Sequence, residues 1–469
     1  MVFSSMTFLF MFLPVLLLLY FLIKNIKFRN FLLVVFSLLF YSWGEPKFIL
    51  LMILTTLLIY LFGLLIEKNR NNNKAKIYLI ISIVLCLSSL FIFKYLNFSV
   101  NILNYVFKTK LSSIKLPLPI GISFYTFQIL SYIVDLYKNK VALQRNPLKL
   151  LLYISFFPQL IAGPIVRYET VEKEINDRIC TKESFVNGFK RFLFGMGKKV
   201  IIANNVAVLC DYIYGNINDY VGSSILWLAA IAYSIQIYFD FSGYSDMAIG
   251  LGKIFGFNFV ENFNYPYICN SITDFWRRWH ISLSTFFRDY VYIPLGGNRV
   301  KKILNIRNII IVWLLTGLWH GANVNYILWG LYYCVFLLIE KFIIGDKINK
   351  IPKILRHIFS LIIIIVGWTI FRLEDFSILT NVLKLMFTYK NSGWLQLFKS
   401  NTKLIVTLPY LLLGIFLSLP IDKWFHKKVI NSKSIYMLLL EDFILGTIFI
   451  IVVLRLVSNN YNPFIYFRF

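Results

Sequence analysis

The sequence predicts an all-α, polytopic integral membrane protein. Of its 469 residues, 58% are hydrophobic, whereas soluble globular proteins average roughly 45–50% apolar residues. The mean hydropathy is +0.70, and the apolar residues are concentrated in long runs separated by short basic loops. Such runs are typical of helices that cross a bilayer, because each spanning helix needs about 17–25 mostly apolar residues.

The apolar runs predict about eleven transmembrane helices in one membrane domain, residues 1–469. We divide it into N-terminal helices (1–110), a core that carries the motifs (115–345) and C-terminal helices (355–469). The charge-poor centres of the candidate spans are 8–23, 31–41, 48–66, 77–93, 192–208, 225–239, 309–319, 332–339, 358–371, 404–419 and 443–454.

The distribution of charge disfavours nucleic acid as a partner. The net charge is +26, and many of the cations lie in short loops such as 24–29 and 68–76. Positive charge of this kind holds loops on the cytoplasmic side of a membrane. It therefore favours membrane lipid and anionic cytoplasmic ligands over nucleic acid. The five cysteines form no C-x-x-C pair, so we interpret them as small core side chains.

Two further segments are too polar to face lipid along their whole length. The segment 115–137 carries Gln128, and the segment 239–257 carries Asp240 and Tyr244. Polar and ionisable groups at membrane depth are costly and usually face a cavity or a partner. For the first segment we predict a helix that faces the protein interior, or one that does not cross the membrane fully. For the second, a polar cavity and helix-end caps are both open, since Asp and Ser also favour N-caps.

The stretch 274–299, DFWRRWHISLSTFFRDYVYIPLGGNR, carries the densest polar pattern. We predict one helix over 274–290, with Asp274 or Thr273 as its N-cap and with Asp274 paired to Arg278 four residues later. Helical spacing places four polar side chains on one face: Arg277, His280, Ser284 and Arg288. Apolar side chains fill the opposite face.

A second element, 309–319, is apolar and ends at a histidine. Helical spacing brings four side chains roughly to one face: Trp313, Thr316, His320 and Asn323. Gly317 and Gly321 form a small-x-x-x-small pair that lets another backbone come close.

The two histidines admit three interpretations. A neutral imidazole can accept a proton from a hydroxyl, so His320, in its apolar surroundings, could act as a general base. A histidine in a membrane helix can also simply hydrogen-bond a neighbouring helix. A metal site is disfavoured and no metal is expected, because the sequence offers no third Cys, His or carboxylate at ligand spacing.

Blocks along nearly the whole chain carry a family resemblance. They are LPIGISFYTFQILSYIVDLY, FFPQLIAGPIVRY, FDFSGYSDMAIGLGKIFGFNFVENFNYPY, DFWRRWHISLSTFFRDYVYIPLGGNR, LLTGLWHGANVNYILWG and the terminal NPFIYFRF. On these blocks the chain resembles the membrane-bound O-acyltransferase family, most closely its bacterial alginate O-acetyltransferase-like branch.

The resemblance implies a ring-like helical bundle with a central tunnel open to the cytoplasm and to the outside. The family's essential histidine falls on His320 and its second histidine on His280. The resemblance further implies acetyl-CoA as the donor substrate, with no bound cofactor. An extracytoplasmic polysaccharide would be the acceptor, often served by a separate SGNH-type acetyltransferase, and the protein would reside in the bacterial cytoplasmic membrane.

These inferences together predict a membrane O-acetyltransferase. Its large anionic donor would dock from the cytoplasm on Arg277, Arg278 and Arg288. His320 would deprotonate the acceptor hydroxyl or be acylated itself, and His280 would orient the acceptor or stabilise the oxyanion. The remaining predicted substrate-binding residues are Ser284, Trp313, Thr316, Asn323, Asp240, Tyr244 and Gln128.

Two rival functions stay open from the sequence. Broken helices and intramembrane polar groups also suit a transporter or flippase for a polysaccharide precursor. Within the resembled family, the transferred group could be D-alanine, delivered to teichoic acid from a carrier protein that docks on the cytoplasmic mouth.

Overall fold

The computed structural model describes residues 1–114, 116–217, 222–388, 393–432 and 435–458. These residues form helices joined by short connections, which confirms the all-α prediction. The terminal NPFIYFRF block lies outside the described residues.

The first half of the chain forms helices α1 Leu13–Leu22, α2 Ile26–Ser42, α3 Phe48–Lys68, α4 Lys74–Leu90, α5 Leu96–Phe107, α6 Ile122–Tyr137, α7 Pro147–Ser155, α8 Phe157–Leu160, α9 Tyr168–Asn176, α10 Lys182–Gly197 and α11 Asn204–Gly215. The second half forms α12 Ser223–Ile254, α13 Ile272–Arg278, α14 Ile281–Phe287, α15 Lys302–His320, α16 Val324–Ile339, α17 Lys353–Arg372, α18 Phe376–Phe387, α19 Trp394–Ser400, α20 Leu408–Leu417, α21 Ile421–Ser432 and α22 Ile435–Ser458. Short π-helical turns lie at Phe8–Phe12, Phe91–Tyr95, Lys198–Ala203, Arg288–Tyr292 and Glu340–Ile344. Short 3-10 turns lie at Pro266–Ile268, Gly345–Lys350 and Thr402–Thr407.

Eight helical segments of the described chain are long and apolar enough to cross a membrane: Phe48–Lys68, Lys74–Phe107, Lys182–Gly215, Ser223–Ile254, Lys302–His320, Val324–Lys350, Lys353–Arg372 and Ile435–Ser458. Three shorter apolar helices are Phe8–Leu22, Phe376–Phe387 and Thr402–Leu417. Length and composition therefore agree with a multi-pass membrane protein. The number of about eleven spans, the ring and the tunnel stay predictions.

The chain divides into two compact units. The first comprises Met1–Phe192 and Met247–Val260, and the second comprises Leu193–Asp246 and Glu261–Phe469. The predicted subdivision of one membrane domain stays a prediction, because compactness alone does not define where a membrane domain ends.

The first unit is built on aromatic packing and one buried arginine. The Phe8 ring lies 5.5 Å from Phe12 and 6.2 Å from Phe157, measured between ring centroids. Arg178 is buried, donates to Asn30 Oδ1 at 2.7 Å and donates to the Phe255 carbonyl oxygen at 3.0 Å. These bonds compensate the charge for its lost hydration.

Helix α6 belongs to the first unit and is almost wholly interior. Twelve of its sixteen residues are buried, including Gln128 and Asp135. The prediction of an interior-facing helix in the segment 115–137 is therefore confirmed for the residues of α6.

The second unit contains the hairpin of α15 and α16, which small residues bring into close contact. A Cβ atom on Gly317 would collide with the backbone carbonyl of Tyr326, and one on Gly321 would collide with the Tyr326 ring. On the facing helix, a Cβ on Gly330 would collide with the carbonyl oxygen of Trp313. The predicted close approach of a second backbone is confirmed at Gly317, whereas at Gly321 the close neighbour is the ring of Tyr326.

Candidate active site

The predicted helix 274–290 is interrupted at His280, which is a correction to the sequence analysis. Helix α13 ends at Arg278, α14 begins at Ile281, and His280 between them has a left-handed φ of +43°. A left-handed residue cannot continue a right-handed helix. The segment 262–264 forms hydrogen bonds with the backbone groups that the break leaves without helical partners. Asn262 O accepts from Ile281 N at 3.0 Å, and Asn264 N donates to Arg278 O at 2.9 Å.

The N-terminus of α13 is capped from two directions. Ser271 Oγ accepts from Asp274 N at 3.0 Å, so Ser271 is the N-cap, and the prediction of Asp274 or Thr273 is wrong. Glu340 accepts from the backbone N–H groups of Ile272 and Thr273 at 2.6 and 2.8 Å, and from the Thr273 hydroxyl at 2.7 Å. A carboxylate at a helix N-terminus is favoured both by these donors and by the helix dipole.

A cavity of about 570 Å³ lies in the second unit beside α13, α14 and α15. It is lined by Ser271, Thr273, Trp276, Arg277, His280, Leu283, Ser284, Phe287, Arg288, Tyr292, Asn298, Ile309, Val312, Trp313, Thr316, His320, Leu337, Glu340, Lys341 and Ile348. This volume lies in the range of small-molecule sites.

Seven predicted site residues meet at this cavity. The polar face predicted for 274–290 lines it with all four of its members: Arg277, His280, Ser284 and Arg288. The second element contributes Trp313, Thr316 and His320. The predicted polar face survives the break at His280, because both short helices turn their polar side chains to the same space.

Five other predicted site residues lie elsewhere. Arg278 pairs with Asp274 at 2.8 Å, as predicted, and Asn323 occupies the N-cap position of α16. Tyr244 is buried within α12, and Gln128 is buried in α6 of the first unit. Asp240 pairs with Lys199 at 2.6 Å. Roles of these residues in substrate binding stay predictions.

The alternative that the carboxylates of 239–257 cap helix ends is wrong. Asp240 and Asp246 lie in the interior of α12, which runs from Ser223 to Ile254. Each forms an ion pair with a lysine of the second unit: Asp240 with Lys199, and Asp246 with Lys198 at 2.8 Å. Their charge is compensated by facing cations rather than by a helix terminus.

His320 is the last residue of α15 and is 7% exposed. Three aromatic rings meet its imidazole edge to face: Trp319, Trp329 and Phe371, at centroid distances of 4.9, 5.0 and 5.3 Å. The aromatic walls restrict the imidazole while it lines the cavity. A restricted imidazole facing a cavity can accept a proton from a bound hydroxyl.

His280 is 1% exposed and is held by the preceding loop. Its Nδ1 lies 3.2 Å from Asn262 Oδ1. Burial lowers the pKa of His280 to about 3, because the charged form loses hydration. The imidazole is therefore neutral at physiological pH.

Sequence reasoning missed six polar residues of the cavity, two of which carry charge: Ser271, Thr273, Tyr292, Asn298, Glu340 and Lys341. Lys341 Nζ donates to Asn298 Oδ1 at 2.6 Å and to Tyr292 OH at 3.3 Å, and the neighbouring Glu340 caps α13. The charged pair directly after the apolar run 332–339 was the available signal. Its partners lie more than 40 residues away in sequence, so no local pattern indicates them.

Metal ligands are sparse in the part of the chain that the structure describes. No three His, Cys, Asp or Glu side chains there are grouped so that they could hold a metal ion.

A multi-pass helical protein with two buried histidines and several cations around one cavity has the features of a membrane-embedded group transferase. Comparison with known proteins specifies the class. Residues 38–346 match the membrane-bound O-acyltransferase (MBOAT) family, and the chain belongs to this family. It is an O-acyltransferase, as its sequence predicts, and the alternative of a transporter is not supported.

Curated relatives match most of the chain. The probable alginate O-acetylase AlgI of Pseudomonas aeruginosa is 42% identical over 425 residues, which cover 89% of this chain and 81% of the relative. The protein of the same name from Pseudomonas putida is 39% identical over the full length of both. The peptidoglycan O-acetyltransferase of Helicobacter pylori is 36% identical, covering 81% of this chain and 79% of the relative.

Proposed function

We propose that the protein transfers an acetyl group from cytoplasmic acetyl-CoA to an extracytoplasmic polysaccharide of the bacterial cell envelope. The observation that carries this proposal is the convergence of His280, His320 and three cations on one cavity. Relatives named for alginate and peptidoglycan acetylation support a polysaccharide acceptor. A separate SGNH-type protein would complete delivery to the polymer, as the family resemblance implies.

The cations of the cavity suit a donor that carries phosphates. Arg277, Arg288 and Lys341 are exposed and line the cavity. Guanidinium and ammonium groups bind phosphate oxygens through charge-assisted hydrogen bonds. CoA is a large anion that cannot cross lipid, so this face of the cavity would receive it from the cytoplasm. Its thioester would then extend toward the histidines.

His320 would serve as the general base of the transfer. It accepts the proton of the attacking hydroxyl while the hydroxyl oxygen bonds to the thioester carbonyl carbon. The carbon–sulfur bond then breaks, and the thiolate leaves as CoA after taking the proton back from the imidazole. In a two-step variant, His320 itself receives the acetyl group and passes it to the hydroxyl.

The test is acetyl transfer by the full chain in lipid nanodiscs supplied with acetyl-CoA and a soluble oligosaccharide or the SGNH-type partner. Removing a general base lowers rates by roughly 10²- to 10⁴-fold. The rate of CoA release by the His320→Ala variant should therefore be lower than that of the unmodified chain by this factor. His357→Ala is the matched control, because His357 is bonded to the Cys269 carbonyl oxygen and does not line the cavity.

Two outcomes would contradict the proposal. Equal rates for the His320→Ala variant and the normal chain would exclude the base. Transfer of D-alanine from a carrier protein, with no turnover of acetyl-CoA, would replace the donor and support the teichoic acid alternative.

A further inference from the structure

We propose that Asn262 is a positioning residue that holds the imidazole proton of His280 on Nδ1 and leaves Nε2 as a hydrogen-bond acceptor for substrate. The contribution of this arrangement to acetyl transfer rests on the proposed function, whereas the tautomer itself does not. Asn262 lies in the loop between α12 and α13, outside the residues that line the cavity.

The side-chain oxygen of Asn262 contacts three groups at the break between α13 and α14. Asn262 is fully buried, and its Oδ1 lies 3.2 Å from His280 Nδ1. The same oxygen accepts from Ser282 N at 3.2 Å and from Ser282 Oγ at 2.8 Å. The Asn262 backbone oxygen also accepts from Ile281 N at 3.0 Å. Asn262 therefore replaces the helical partners that the chain loses at His280.

The backbone N–H of Ser282 fixes which end of the Asn262 carboxamide faces His280. An amide N–H can only donate, so the atom opposite it must be the carboxamide oxygen and not the NH₂ group. His280 Nδ1 faces that same oxygen. Ser282 Oγ also lies 3.5 Å from His280 Nδ1, but its single proton is donated to Asn262 Oδ1 at the shorter distance of 2.8 Å. A lone pair on Nδ1 would then face a lone pair on Oδ1 and be repelled, so Nδ1 carries the proton.

A neutral imidazole has one proton, and Asn262 places it on Nδ1. Nε2 therefore carries a lone pair. Among the described residues, no hydrogen-bond partner approaches this buried nitrogen, although His280 lines the cavity. A nitrogen without a proton cannot donate to an oxyanion, whereas it can accept from a substrate O–H or N–H. Of the two roles predicted for His280, orienting the substrate fits this tautomer and stabilising an oxyanion does not.

The tautomer can be read directly by ¹⁵N NMR of the full chain in nanodiscs after labelling its histidines. The chain has four histidines, and the His280 signal is identified by its loss in His280→Gln. We expect a neutral ring protonated at Nδ1. A ring protonated at Nε2 in the normal chain would overturn the proposal, and this measurement needs no variant of Asn262 that folds.

Two substitutions then test whether Asn262 is the cause. Asn262→Leu removes the acceptor and should shift the tautomer toward Nε2–H. Asn262→Asp keeps an oxygen acceptor and should retain protonation at Nδ1. Asn30→Leu is the control for losing a buried asparagine, since Asn30 belongs to the first unit. An unchanged His280 spectrum in Asn262→Leu would overturn the assignment.

Kinetics separate positioning from simple stability. A misplaced group of about 1 Å can lower a rate roughly 10²-fold, so Asn262→Leu should lower kcat by that factor with little change in KM for acetyl-CoA. Asn262→Asp should restore most of the rate. Protonation at Nδ1 without turnover of acetyl-CoA would refute the proposed function alone. Turnover with protonation at Nε2 would refute the role of Asn262 alone.

Discussion

Lys199 Nζ lies 2.6 Å from Asp240 Oδ1, and both side chains are almost completely buried, at 2% and 3% exposed. The two residues come from adjacent parts of the second unit, a π-helical turn and the interior of α12. A buried ion pair gives little net stability over an apolar pair, but losing one partner leaves an uncompensated charge.

We predict that Lys199→Met destabilises the protein by roughly 3–5 kcal/mol, because the buried carboxylate of Asp240 would lose the ammonium group that lies 2.6 Å from it. The double variant Lys199→Met/Asp240→Leu should recover most of this loss. The measurement is thermal unfolding in one detergent. Lys198→Met is the matched control and should cost less, since the Lys198–Asp246 pair is 14% exposed on both sides. A double variant as unstable as the single one would contradict a purely structural pair.

Two adjacent arginines should differ in kinetics. Arg277 lines the cavity, whereas Arg278 is paired with Asp274 and donates to Asn264 O. A hydrogen bond to a charged group contributes about 1.5–3 kcal/mol. Arg277→Ala should therefore raise KM for acetyl-CoA by roughly 10- to 100-fold, and Arg278→Ala should leave it nearly unchanged. Equal effects in steady-state assays would refute phosphate binding by Arg277.

The hydrogen bonds that Glu340 accepts from the N-terminus of α13 should contribute to the stability of the protein. Glu340→Ala leaves two N–H groups of α13 without their acceptor, and we expect a loss of about 1.5–3 kcal/mol. Glu340→Gln keeps one acceptor oxygen and should lose less. The measurement is the melting temperature of each variant, which should be higher for Glu340→Gln than for Glu340→Ala. A lower melting temperature for Glu340→Gln would show that the carboxylate does not act as a cap.

Because α15 and α16 are in close contact, adding one methyl group at Gly317 should lower the stability of the protein. Gly317→Ala would press a Cβ into the Tyr326 carbonyl, and overpacking costs typically about 1–3 kcal/mol. Because α15 carries Trp313, Thr316 and His320, the Gly317→Ala variant should show both a lower melting temperature and a lower rate of acetyl transfer. Gly446→Ala in α22 is the control, since no described atom lies within 4 Å of its added Cβ. Equal stability of both variants would contradict the contact.

The sequence predicted the fold class and seven of the twenty residues that line the cavity, for a simple physical reason. Period and polarity are local properties, so Arg277, Ser284 and Arg288 could be placed on one face without a structure. His280 also reached the predicted face, although the helix assumed for it is broken. The break has no local signal, because the left-handed conformation is stabilised by Asn262 from another segment.

The remaining site residues could not be predicted because their roles depend on distant partners. Glu340 and Lys341 follow an apolar run and resemble ordinary boundary charges, yet they bond to α13 and to Asn298. The sequence pattern around Asp240 is typical of a residue that lines a cavity, whereas in the structure Asp240 forms an ion pair with Lys199. Pairing between segments far apart in sequence is a tertiary property that spacing along one helix does not contain.

The left-handed backbone at His280 also decides which substitution can isolate its imidazole. An alanine there would combine loss of the ring with steric strain at φ +43°, whereas glycine adopts this region freely. His280→Gly would thus leave a ring-sized hole in an otherwise relaxed chain. Such a hole invites chemical complementation, in which imidazole added from solution occupies the vacated space.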